Sequence, residues 1–287
     1  MYPTQIYLPM ILIFLFLLTL TYAINIRKRN DKTFYETRKV ALVLCQEILE
    51  LVNLMQKHRG MSSGIIGGNN GFKVQINKLF SDINGRLASI MLESKSYPQL
   101  FDYAIWDDIQ ARWQNKCQQW PDYELIHNVE NHSYLIRIIL DQVNVLTDRA
   151  GITTDASSKV NKMAREILRE LPELVEYIGQ MRALSVHSAS AQTCSTDSKL
   201  HLRYLHQSIH DGVNKPASLV IIPDQIKAQL DQLLDLVETK IIKCEKIDID
   251  ADDLFQLCTK IIDAYLDISK SAITNLKKKV FAIQESY

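Results

Sequence analysis

One short pattern occurs twice in this chain, and it limits what the two surrounding segments can become. Glu50-Leu51-Val52 is followed seven residues later by Arg59 and then by Ser62; Glu173-Leu174-Val175 is followed at the same spacing by Arg182 and Ser185. Around the first copy the apolar residues run Val40, Leu44, Ile48, Leu51, Val52 and Met55, and around the second Leu171, Leu174, Val175 and Ile178. Steps of three and four put each set on one face of an α-helix. Each arginine falls four residues beyond the last apolar residue, on that same face. A guanidinium cannot be neutralised, and burying it without a counter-charge is very costly. Two such groups, one per half of the chain, can share one anion. Each can instead run its stem over apolar neighbours with the head in water, or pair with a carboxylate, for which Glu50, Glu173 and Glu176 are the nearest candidates.

The chain has 287 residues, enough for two modest domains or one large helical one. Apolar residues make up 47%, with only 9 glycines and 7 prolines, which suits an ordered, helix-rich chain. Lysine plus arginine equals aspartate plus glutamate at 33 each, so no overall charge points to nucleic acid. Cys45, Cys117, Cys194, Cys244 and Cys258 lack metal or redox spacing and read as small core residues of a reducing compartment.

Ile6 to Ile24 carries no charge and is long enough, as a helix, to span a bilayer. Basic residues follow it (Arg27, Lys28, Arg29, Lys32), whereas none precedes it as a signal peptide requires. The expectation is a single-pass anchor in the cell (inner) membrane over residues 1–30, with the remainder cytoplasmic.

Helix follows helix after that. The first long one is expected from Asp31 to the Gly67-Gly68 break, and the next ones over Phe72–Ser94, Leu100–Trp120 and from Pro121 to Arg149. A linker around 151–155 follows, with Asp155 or Ser157 as the cap of a helix from Ser158 to Gln192 that Pro172 kinks or restarts. Thr196-Asp197 caps the next helix, ending near Gly212. Asn214–Pro223 is a packed loop or short edge piece. Ile226, Leu230, Leu233, Leu234, Val237 and Ile241 mark an amphipathic helix, and the last runs from Asp252 to Gln284. The fold expected is all-α: two antiparallel four-helix bundles after the transmembrane helix, over residues 31–150 and 151–287.

Two segments carry a family resemblance. Gln56-Lys57-His58-Arg59-Gly60 with Ser62-Ser63-Gly64, and Glu176-Tyr177-Ile178-Gly179-Gln180-Met181-Arg182-Ala183, resemble the two signatures of the nitrate- and nitrite-sensing (NIT) domain. The resemblance covers roughly Glu36 to Lys279. It implies two four-helix bundles that bind nitrate or nitrite between helices through one arginine from each signature, by position Arg59 and Arg182. A planar guanidinium offers two parallel donors to two oxygens of such an anion. Gly60 would allow close approach, and Ser62 and Ser185 would add hydroxyl donors. The family usually has a glutamate just before the first arginine, where this chain has His58. NIT domains usually feed an output module, and none is legible after Lys279.

Other patterns are weaker. His206 and His210 have metal-ligand spacing but no completing ligands, so no metal or cofactor site is expected. Trp106, Trp113 and Trp120 recur every seven residues, as a core seam does. No nucleophile, acid and base converge in the pattern, which argues against an enzyme. The expected function is a membrane-anchored nitrate or nitrite sensor that signals through a separate partner protein or a homodimer. The alternative is a protein-interaction scaffold that kept the fold and lost the ligand.

Overall fold

A computed structural model describes residues 4–154, 159–215 and 218–282, apart from the side chains of residues 4–11, 30–31 and 280–282. Among the described residues there is helix and no strand. The long helices are α1 (Thr4–Ile66), α2 (Lys73–Ser94), α3 (Tyr103–Asn115), α4 (Leu125–Arg149), α5 (Lys159–Arg165), α6 (Leu171–Ala191), α7 (Thr196–Val213), α8 (Asp224–Val237) and α9 (Ala251–Ala282). The expected caps Asp155 and Ser157, and the expected helix end at Gln284, lie outside the described residues.

The expected breaks have local causes. Gly68 adopts φ +106°, and the N–H groups of Gly68 and Asn69 donate to the carbonyls of Ile65 and Gly64. This left-handed cap stops α1 where the glycines predict. Cys117–Asp122 forms a 3₁₀ helix that contains Pro121, and Tyr123 and Glu124 are extended, so α4 starts at Leu125 rather than at Pro121. Pro172 restarts the chain rather than kinking it. A π-turn over Glu166–Glu170 precedes it, and Pro172 then sits in the first turn of α6, where its missing N–H costs nothing. The buried carboxylate of Glu166 accepts from Ser218 Oγ and from the N–H groups of Leu219 and Val220, which pins the 214–223 loop.

The expected membrane crossing is overturned: among the described residues no helix is long and apolar enough to cross a membrane. Within the described side chains the apolar stretch runs from Leu12 to Ile26, and Arg27, Lys28 and Arg29 follow it. The start of the run at Ile6 lies outside the described side chains. The cytoplasmic placement, argued from charges flanking a span, goes with it.

Two apolar cores form. One joins α1 between Ala41 and Met55 to α2, α3, α4 and α5 and to Ile273 and Leu276 of α9; Trp106 and Trp113 are sealed inside it. The other joins α6, α7, α8 and α9, with Met61 of α1 reaching in. Each fully buried Leu, Ile or Phe contributes about 1.5–3 kcal/mol relative to exposure. Helices α1 and α6 lie side by side between the cores and run parallel in register. A Cβ placed on Gly60 would touch Arg182, one on Gly64 would touch Val186, and one on Gly67 would touch Ser190. Helix α9 runs antiparallel to α1, with Lys270 on Glu50 at 2.6 Å and Lys57 on Asp263 at 3.1 Å. The duplicated motif therefore faces itself along one seam, with α9 beside it.

Candidate functional site

The two arginines share this seam but not the same surroundings. Arg59 is fully buried, and its Nη1 and Nη2 donate to Glu176 Oε1 at 2.5 Å and Oε2 at 3.1 Å. Nη1 also donates to Ser133 Oγ at 2.7 Å. The carboxylate is held from the sides by Gln56 Nε2 and Gln180 Nε2, both at 2.8 Å. Glu176 is one of the three carboxylates the spacing suggested as a partner; Glu50 instead binds Lys270, and Glu173 accepts from the Tyr177 hydroxyl. Ser62 Oγ accepts from Asn128 Nδ2 and donates to the Arg59 carbonyl. The first copy is thus supplied with a counter-charge, although Asn53 Oδ1, Gln56 Oε1 and Arg59 Nε find no partner.

The second copy is not. Arg182 is also fully buried, yet among the described residues it has no carboxylate within ion-pair distance. Its Nη1 donates to Thr259 Oγ1 at 2.9 Å, and its guanidinium carbon lies 4.9 Å from the centre of the Phe255 ring. Nε and Nη2 find no acceptor, and three residues on the buried Ser185 hydroxyl has no partner either. Burial pushes the guanidinium down from 12.5 to about 10; the positive charge of Arg59 adds to that, and the more distant carboxylates of Asp263 and Glu176 oppose it. An unsatisfied buried cation is expensive.

Glycines set the spacing. A Cβ on Gly60 would meet Arg182 Nε and the Phe255 ring at 3.0 Å; one on Gly179 would meet Arg59 Nη2 at 2.9 Å. Each arginine lies across a glycine of the opposite helix. The seam is tight at both places, so a guest at Arg182 has to move side chains or the helices themselves.

His58, which stands where the family usually has glutamate, faces away from the arginines into the first core. Its Nδ1 lies 2.9 Å from His132 Nε2, and His132 Nδ1 lies 2.8 Å from the Asn128 carbonyl. The carbonyl can only accept, so His132 donates to it and accepts from His58. Burial drives His58 well below 6.5, with His132 adding to the effect, and burial drives His132 to about 3. Both rings are neutral at pH 7, so His58 adds no charge beside Arg59.

Three of the five residues singled out from sequence (Arg59, Gly60 and Arg182) line the seam, Ser185 is buried one turn beyond Arg182, and Ser62 turns toward α4. Gln56 and Gln180 lie inside the quoted motifs; a polar side chain on an apolar stripe was the signal for them. Thr259, Phe255 and Ser133 come from distant segments with no distinguishing pattern. Among the described residues no group of three or more His, Cys, Asp or Glu side chains is arranged to hold a metal ion.

No protein-family model matches the sequence, and no curated protein matches it. Among solved structures one resembles it. The chain is similar in fold to the NasR transcription antiterminator. The TM-score is 0.68 over 93% of this chain and 76% of that one, at 14% identity. At such identity the likeness shows the shared all-helical fold and nothing about ligand.

Proposed function

We propose that this chain is a non-enzymatic sensor module that takes up a small oxyanion, nitrate or nitrite, in the seam of α1, α6 and α9. The observation that carries the reading is the unpaired guanidinium of Arg182, fully buried with Nε and Nη2 unbonded and the Ser185 hydroxyl free beside it. A planar anion supplies acceptors for those donors and the missing negative charge together. The resemblance of the two arginine segments to the NIT signatures and the fold likeness to the NasR antiterminator support the same reading. So does the grouping of helices around two cores, which fits a pair of four-helix bundles with the guest between them. Arg59 then acts as the fixed, Glu176-paired wall of the site rather than as an equal second clamp. The signal passes to a partner protein or a second copy through the packing of α1 against α6.

Titration calorimetry of the full chain with sodium nitrate and sodium nitrite, against sodium chloride, is the test. Heat with one of the oxyanions, lost in Arg182→Gln, supports the proposal. Saturation at a hundred times Kd would add about 2.7 kcal/mol of stability. Absence of heat with either anion refutes it. A second reading, an interaction scaffold without a ligand, is favoured by one fact: Arg59 already has an internal counter-ion. A partner that binds equally with and without nitrate, and to Arg182→Gln, would select it.

A further inference from the structure

The two copies of the motif differ at one telling place. Six residues before Arg182 stands Glu176; six residues before Arg59 stands Asn53. Glu176 and Asn53 are thus equivalent positions of the repeated motif. Glu176 reaches across and neutralises Arg59. Asn53 is buried with its Oδ1 unbonded and carries no charge. A symmetric seam would hold two arginines and two carboxylates. This one holds two arginines and one carboxylate, so these three side chains leave a single buried positive charge.

We infer that Glu176, set against the neutral Asn53, is a specificity-determining residue that fixes the charge of the guest at minus one. The inference rests on the proposed oxyanion site and adds what that reading leaves open, namely why a monoanion is preferred to a dianion. A singly charged guest brings the seam to neutrality. Sulfate or hydrogenphosphate would carry a second negative charge into a site with no further buried cation to meet it, and a buried unpaired charge is strongly disfavoured. Glu176 also excludes the dianion directly, since it lies on the Arg59 donors that a larger anion would need.

The test is the ratio of sulfate to nitrate dissociation constants, measured by calorimetry at matched ionic strength on the full chain and three variants. The unmodified chain should bind nitrate at least about tenfold more tightly than sulfate. In Glu176→Gln the buried charge rises by one, and the ratio should fall about tenfold or invert. In Arg59→Gln/Glu176→Gln the charge returns to one, and nitrate preference should return with it. Thr259→Glu puts a carboxylate where Arg182 Nη1 now meets a hydroxyl, and nitrate binding should weaken at least about tenfold. If Glu176→Gln does not fold, the other three proteins still decide. Sulfate bound by the unmodified chain as tightly as nitrate would overturn the inference, as would unchanged nitrate binding in Thr259→Glu; either leaves the oxyanion site standing. An unmodified chain that binds neither anion removes both.

Discussion

Replacing Arg182 with methionine should make the empty protein more stable, an unusual outcome for truncating a fully buried side chain. Burial lowers the guanidinium from 12.5 to about 10. At 1.36 kcal/mol per tenfold in proton affinity, the charged side chain is disfavoured in the fold by about 3 kcal/mol. The sign follows from proton linkage: the unfolded chain holds the proton more tightly, so the penalty is complete below pH 10 and fades only between about 10 and 12.5. The bond to Thr259 offsets about 1 kcal/mol, and the face of Phe255 about another. Methionine keeps the unbranched stem and removes the charge. The expected gain is therefore ~1 kcal/mol, or ~2 °C in Tm for a chain of this size. Arg59→Met should do the opposite, because it leaves Glu176 buried and uncompensated; breaking such a pair costs about 3–5 kcal/mol. Urea unfolding of both variants in nitrate-free buffer reads the contrast directly. A loss of 2 kcal/mol or more in Arg182→Met would refute the reasoning, since it would mean that the guanidinium is a satisfied structural group.

Further expectations concern the same seam and its flanks. Gly179→Ala would set a Cβ 2.9 Å from Arg59 Nη2, which Glu176 holds in place, so a loss of about 1–3 kcal/mol is expected in urea melts. Stability should fall as pH drops from 6.5 toward 3, because the unfolded chain protonates His132 while the fold holds it near 3. The slope is at most about 1.4 kcal/mol per pH unit for each buried histidine, and His132→Gln should flatten the pH profile of the urea midpoint. Gln192 caps α6 in the left-handed region at φ +53°, so Gln192→Gly should raise the unfolding free energy from urea melts by about 1 kcal/mol; no change would mean that the cap carries no strain.

The repeated motif made the seam legible from sequence, because an arginine on an apolar stripe has few places to go and two copies at one spacing must be explained together. Period and punctuation located most helices: Gly68 ends α1, and the apolar positions of α8 are those buried. The order of partners was not legible. Glu50, Glu173 and Glu176 were equal in sequence, and only the parallel register of α1 and α6 selects Glu176. Thr259 and Phe255 arrive from α9, which loops back from the far end of the chain, and no local pattern marks them. The apolar N-terminal run was read as a crossing from its low charge and length, and among the described residues no helix is long and apolar enough to be one.

The asymmetry on which the proposed site rests also gives that proposal a route to a signal. With no guest, the seam contains a cation whose burial is disfavoured by about 3 kcal/mol. A guest at a hundred times its Kd stabilises the form that binds it by about 2.7 kcal/mol. The two quantities are of one size, so occupancy is enough to decide between a closed seam and a looser one. Helix α1 contributes Leu42 to Met55 to one core and Met61 to the other. A shift of α1 against α6 at Gly60 and Gly179 therefore cannot stay local, because both cores are anchored to the helix that moves. If the switch works this way, amide exchange along α1 between Met55 and Gly64 should slow on nitrate addition in the native chain. It should be insensitive to nitrate in Thr259→Glu, whose internal carboxylate would already do the work of the guest.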